Sequence, residues 1–433
     1  MTLLGRFSSS ILEPLRRFGG LYSSLIFCVG LFATFAGQLI LGKVLSPQDF
    51  GTYILIYSVA AILSAVGAAG LDVSAVRFVS VAHAKNDDTK LRSFILYAIR
   101  LTALPSIAAA LGGALYLYFV DAVSGTILLL SIGIILTWGA TRSLSGILRG
   151  MGGLSLAIGL DRVARDLAVF LAALAMLFLA WSATLIEALT ALFIGGLAGF
   201  LVGGTVLLRK FSALRSEPST GTTPAQAKEW RNASLGLMTY NLTELLSSRF
   251  DIIFLSIFLP KDEIGALGIL LILMNICAIP SVFIGIFIMP KLAVLASAKD
   301  HRGLRQICLF STAASVGFGA LISLVLIALK DPMLDFIGVG LTRYVSMDIL
   351  VAALVIRCLS MVGTFPAAYL TMTGGHRKLL IVNFSSVAMR TIFYLLLFTQ
   401  MSAAMGILAF VGAALLVSLV NFALIRREVL SAT

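Results

Sequence analysis

Apolar residues run through the chain in stretches of about 20 or more, interrupted by short polar breaks, and this pattern predicts membrane-spanning helices rather than a soluble core. The runs lie near 21–42, 52–72, 92–119, 124–147, 156–180, 184–208, 232–258, 264–289, 304–329, 345–372, 379–399 and 403–425. Twelve spans make an all-α integral membrane protein, and an even number puts both termini on one side. The longest polar break, RKFSALRSEPSTGTTPAQAKEWR (209–231), divides the spans six and six. Its Ser, Thr, Pro and Gly content predicts a flexible connection between a lobe at 1–208 and a second at 232–433.

Composition agrees with the pattern. Of 433 residues, 59% are hydrophobic and 12% charged, with a mean hydropathy of +1.04, where a soluble protein carries about 25% charged residues. The segment Met1 to Gly20 is basic and weakly amphipathic, and the apolar run after it exceeds a signal-peptide core, so the first span is expected to stay. The net charge is +12. Placing the N-terminus in the cytoplasm puts 24 of the 32 Lys and Arg residues in inside segments or toward the adjoining cytoplasmic ends of spans, and only Lys43, Lys261, Lys330 and Arg343 outside. That bias orients both termini to the cytoplasm and accounts for the charge without a nucleic-acid partner. The remaining four, Arg100, Arg249, Arg357 and Arg390, fall inside predicted spans. Cys28, Cys277, Cys308 and Cys358 are scattered in apolar runs, and His83, His301 and His376 are isolated, so no metal site or cofactor is expected.

The two halves resemble each other. A shift of 214 places LSPQDFG (45–51) on LPKDEIG (259–265), Arg77 on Lys291, and AHAK (82–85) on ASAK (296–299). Further on, LRGMGG (148–153) resembles LTMTGG (370–375). With six spans per half, corresponding helices cross in the same direction, which is a parallel repeat about an axis along the membrane normal.

At GKVLSPQDFGTYILIYSVAAILSAVGAAGLDVSAVRF (42–78) the chain resembles the polysaccharide-transport flippases of the multidrug/oligosaccharidyl-lipid/polysaccharide exporter superfamily. The carrying residues are the turn Leu45 to Gly51 with Tyr53, then Gly70-Leu71-Asp72 with Arg77. In the second half, SSRFDIIFLSIFLPKDEIG (247–265) is similar to the family's seventh helix, with Arg249 and Asp251 at charged positions, and Pro290 also fits. Gly265 is followed by Ala266-Leu267 where the first half has Thr52-Tyr53, a departure from the pattern. The resemblance implies translocation of a polyprenyl-pyrophosphate-linked oligosaccharide from the cytoplasmic to the outer leaflet of a bacterial inner membrane, for O-antigen or exopolysaccharide synthesis. Membrane lipids and polysaccharide polymerase or export proteins are the partners it implies.

Charge within the spans carries the candidate chemistry, because a charge at mid-bilayer is costly. Glu244 and Asp251 are seven apart and share a helical face, while Arg249 and Asp251 project about 200° from each other. Arg249, Arg357, Arg390 and Arg100 are the candidate anion contacts, since Arg stays protonated and donates directed hydrogen bonds to phosphate. Arg100 is nearer a membrane face, where snorkelling is the simpler reading. Glu244 and Asp251 are the candidate coupling carboxylates, or internal ion-pair partners for Arg357 or Arg390. Asp72, Arg77 and Lys291 stand at predicted cytoplasmic helix ends as gate residues or leaflet anchors. Two other functions compete: a multidrug or cation antiporter of the same fold, and a non-transporting scaffold for glycan assembly. An enzyme is disfavoured, because every predicted outer loop is short and lacks a catalytic set.

Overall fold

The computed structural model describes residues 3–121, 123, 125–179, 183–214, 223–297, 300–337, 347–365, 367 and 376–396, with short pieces after 401. Helix occupies each of the first eleven predicted spans, and the twelfth, 403–425, lies mostly outside the described residues. Among the described residues, seven helices are long and apolar enough to cross a membrane by length and composition.

The helices are α1 (Leu3–Val44), α2 (Pro47–Gly67), α3 (Leu71–Ala84), α4 (Asp88–Asp121), α5 (Gly125–Gly150), α6 (Leu154–Ile158), α7 (Ala164–Phe178), α8 (Leu185–Ala213), α9 (Pro224–Leu255), α10 (Lys261–Ser297), α11 (His301–Ala328), α12 (Lys330–Ile337), α13 (Met347–Ser360) and α14 (His376–Leu396). A π-helical turn, Gly159–Val163, joins α6 to α7.

Local chemistry sets several of these ends. Ser46 caps α2, its hydroxyl accepting from the Asp49 amide at 3.1 Å, and Pro47 takes the first helical position, where a missing N–H costs nothing. Thr184 and Glu187 form a reciprocal capping box at the start of α8. Asp300 caps α11 through the Gly303 amide at 3.0 Å. The predicted span at 52–72 stops at Gly67 instead, because Ala69 (φ 50) and Gly70 (φ 74) turn left-handed before α3 begins.

Two compact units emerge: Met1–Ile40 with Val59–Leu242, and Leu41–Ser58 with Thr243–Thr433. Within the first, α5 packs on α3, α4 and α8, and α7 packs on α8. Its aromatic core surrounds Trp230, 1% exposed, whose ring meets Phe94 edge-on at 5.1 Å. Nearby, the Tyr97 hydroxyl donates to the Ala227 carbonyl at 3.2 Å. The stretch 209–231, expected to be a flexible linker, is therefore helical at both ends, with α8 reaching Ala213 and α9 starting at Pro224. Replacing Trp230 with alanine is expected to cost about 3–5 kcal/mol, measured as a fall in thermal stability in detergent.

Within the second unit, α10 packs on α11 and α13. The start of α2 joins this unit through close backbone approaches. A Cβ at Gly51 would lie 1.8 Å from the Lys261 carbonyl oxygen, and one at Gly268 would lie 2.9 Å from the Ile54 side chain. The repeated segments LSPQDFG and LPKDEIG thus meet each other, with Gly51 beside the Gly265 amide, and each is helical from Pro47 or Lys261 onward where the sequence reads a turn.

Candidate functional site

The charges of the second unit divide into a closed cluster and an open cation. In the closed cluster, Arg390 Nη1 donates to Asp251 Oδ2 at 2.5 Å, with the two side chains 2% and 1% exposed. Arg390 Nη2 also donates to the Ser247 carbonyl at 2.8 Å, and the Tyr394 hydroxyl donates to Asp251 Oδ1 at 2.5 Å. Ser247 and Asp251 on α9, and Arg390 and Tyr394 on α14, are each one turn apart, so two helical faces interlock. Asp251 has both oxygens engaged and Arg390 is buried, which commits the pair to holding α9 against α14. Of the two readings the sequence leaves open for Arg390, an anion contact or an internal ion pair, the structure brings it to Asp251. Truncating either partner strands a buried charge, so Asp251→Ala or Arg390→Ala is expected to cost about 3–5 kcal/mol. The paired replacement Asp251→Leu with Arg390→Met is expected to recover most of that thermal stability.

Arg357 on α13 is placed differently. It is half-buried, and its Nη2 donates to Asn275 Oδ1 on α10 at 3.4 Å. Its Nε is buried without a hydrogen-bond partner, and among the described residues no carboxylate pairs with it. The surroundings are neutral: Cys277 and Cys358 lie close by, and the Ser323 hydroxyl bridges their sulfurs at 3.3 and 3.0 Å. A guanidinium held among an amide, a hydroxyl and two thiols keeps its positive field, because no carboxylate among the described residues cancels it. Such a site favours an anion.

Arg249 lies over the Tyr57 ring at 5.3 Å and is half-buried. Glu244 is exposed on α9 with no ion pair among the described residues, whereas Asp251, expected on the same face, is buried. The two differ because α14 covers the helix at the height of Asp251.

In the first unit, Arg100 is exposed on α4 among exposed apolar neighbours such as Ile99 and Leu104. Asp72 Oδ2 accepts from Asn241 Nδ2 at 3.1 Å, tying α3 to α9. Arg77 is exposed beside the Phe78 ring, and Lys291, in the second unit, is exposed on α10.

Sequence reasoning missed one cluster altogether. Asp166, 3% exposed, accepts from Arg165 Nε at 2.6 Å and from Thr34 Oγ1 at 2.5 Å, and Arg165 lies 4.3 Å from the Trp138 ring. Just before it, Arg149 pairs with Asp161 at 3.3 Å across the π-helical turn. The candidate intramembrane charges read from the sequence, Arg100, Arg249, Arg357 and Arg390 with Glu244 and Asp251, leave these groups out. The available signal was the adjacent Arg165-Asp166 within an apolar run.

The fold matches that of solved membrane transporters. A multidrug resistance transporter of the MATE family of the MOP superfamily, in an inward-facing conformation, matches with a TM-score of 0.69 at 15% identity, covering 95% of this chain and 98% of the other. The MATE multidrug transporter DinF-BH matches with a TM-score of 0.65 at 15% identity, covering 95% of each chain. The lipid II flippase MurJ matches with a TM-score of 0.64 at 12% identity, covering 94% of this chain and 87% of the other. At these identities the likeness shows the fold. No curated protein matches by sequence. A family profile described as polysaccharide biosynthesis protein matches residues 19–295, more than half of the chain. The chain belongs to that family, as the resemblance in its sequence implied, and it is a multi-pass membrane protein with a transporter fold.

Proposed function

We propose that the protein is a flippase for a polyprenyl-pyrophosphate-linked oligosaccharide, moving it from the cytoplasmic to the outer leaflet of a bacterial inner membrane for O-antigen or exopolysaccharide synthesis. The observation that carries the reading is Arg357, a half-buried cation without a carboxylate partner among the described residues, in a chain of the polysaccharide biosynthesis family. A pyrophosphate offers the acceptor oxygens that the unpartnered Nε and the remaining guanidinium donors lack. Arg249 is its companion contact. Arg390 and Asp251 serve as an internal pair, and Glu244 is the coupling carboxylate. Transport proceeds by alternating access between the halves 1–208 and 232–433, and no bond is made or broken.

The cation-extrusion alternative needs an acidic site. Asp251 and Asp166 are each committed to an arginine, which favours the anionic substrate. The test is genetic. Loss of the protein should trap lipid-linked oligosaccharide in the inner leaflet, wild type should clear it, and Arg357→Ala should not. Drug resistance conferred without any effect on glycan export would select the alternative.

A further inference from the structure

A groove of about 560 Å³ runs along the first unit between α4, α5 and α8. On α8 it extends from Leu197 to Leu208, and on α5 from Leu136 to Ile147. Eleven residues of helix rise about 16 Å, close to half of a hydrocarbon core about 30 Å thick. The groove is thus as long as one leaflet is deep.

Its walls offer nothing to a polar ligand. The few hydroxyls there are spent internally: Thr102 on the Ala98 carbonyl at 3.0 Å, Ser106 on the Gly67 carbonyl at 3.0 Å, Thr137 on the Gly133 carbonyl at 2.8 Å and Ser143 on the Gly139 carbonyl at 3.1 Å. The remaining lining is aliphatic or aromatic, and a Cβ at Gly204 would meet no atom within 4 Å.

One end is strongly basic. Arg92 of α4 lies 4.5 Å from the Phe211 ring of α8, which brings the start of α4 beside the end of α8. At that end Arg92 shares the groove-facing side of α4, Arg100 is exposed immediately after the lining residue Ile99, and Arg209 and Lys210 are exposed on the flanks of α8 beyond Leu208. Helical side chains lean toward the helix N-terminus, so Arg100 leans toward the same end. The opposite end, near Ile107 and Leu197, carries no charge.

We propose that this groove binds one acyl chain of an anionic glycerophospholipid, whose phosphate is held by Arg92 and Arg100, with Arg209 and Lys210 adding positive field from the flanks of α8. Length, dryness and the basic rim fit a chain below an anionic headgroup in one leaflet, and positive-inside bias makes that the cytoplasmic leaflet. The site is built within the first unit alone and does not rest on the flippase reading.

The test uses the full chain in nanodiscs with phosphatidylglycerol carrying a diazirine in one acyl chain, and cross-links mapped by mass spectrometry. Labelling should concentrate on α4, α5 and α8 over the exposed apolar face at Leu321 and Leu324 of α11. Gly204→Phe, which has room for its ring, should reduce groove labelling by about tenfold, since it displaces several buried methylenes. Neutralising the rim with Arg92→Gln and Arg100→Gln should remove the preference over diazirine phosphatidylcholine, at about fivefold per charge. Equal labelling of both faces, or labelling that ignores Gly204→Phe, overturns the site. Displacement by a polyprenyl phosphate probe but not by phosphatidylglycerol overturns the choice of ligand.

Discussion

Arg357→Ala is expected to lower the transport rate by about 10- to 100-fold, because a charge-assisted hydrogen bond to phosphate is worth about 1.5–3 kcal/mol. The same substitution is expected to leave thermal stability unchanged or raise it. A half-buried guanidinium with an orphaned Nε and no carboxylate partner among the described residues is a cost to the folded state that function retains. Arg357→Lys keeps the charge but loses the planar fork, so partial activity should remain. Arg390→Ala should show the opposite signature, with stability falling because Asp251 is left buried and unpaired. Transport rates and unfolding temperatures measured on both variants separate the roles. A structural role for Arg357 would show as stability and activity falling together.

Gly51→Ala is the second large effect. The new Cβ would stand 1.8 Å from the Lys261 carbonyl oxygen and 2.7 Å from its carbon, both of them backbone atoms that can move only with α10. No rotamer relieves that contact, so the start of α2 must separate from α10, at about 3 kcal/mol. Gly112→Ala is the control, since nothing lies within 4 Å of its Cβ and alanine favours a helix. Thermal unfolding should place Gly51→Ala several degrees below wild type and Gly112→Ala at or above it. Equal stability of the two variants would contradict the close approach.

Features written locally were legible in the sequence. Aligning LSPQDFG with LPKDEIG singles out the two glycine-bearing segments that meet in the second unit, although the predicted span begins at 52 where α2 begins at Pro47. Apolar runs located the helices, because crossing a bilayer constrains length and composition together. Pairings over long separations were not legible. Asp251 and Arg390 are 139 residues apart, and one sequence does not say which arginine an aspartate meets. Trp230 was hidden in a polar stretch because its burial depends on Phe94 and Tyr97 of a distant helix. Of the four arginines proposed for the anion, the structure leaves Arg357 without a carboxylate among the described residues and brings Arg390 to Asp251.

The most direct measurement is translocation of a fluorescent lipid-linked oligosaccharide by the purified protein in proteoliposomes, read by quenching from outside. Wild type should expose the headgroup across the bilayer, Arg357→Ala should do so about 10- to 100-fold more slowly, and the variant should unfold at or above the wild-type temperature. Full translocation by a stably folded Arg357→Ala protein would contradict the assignment of this arginine to the anion.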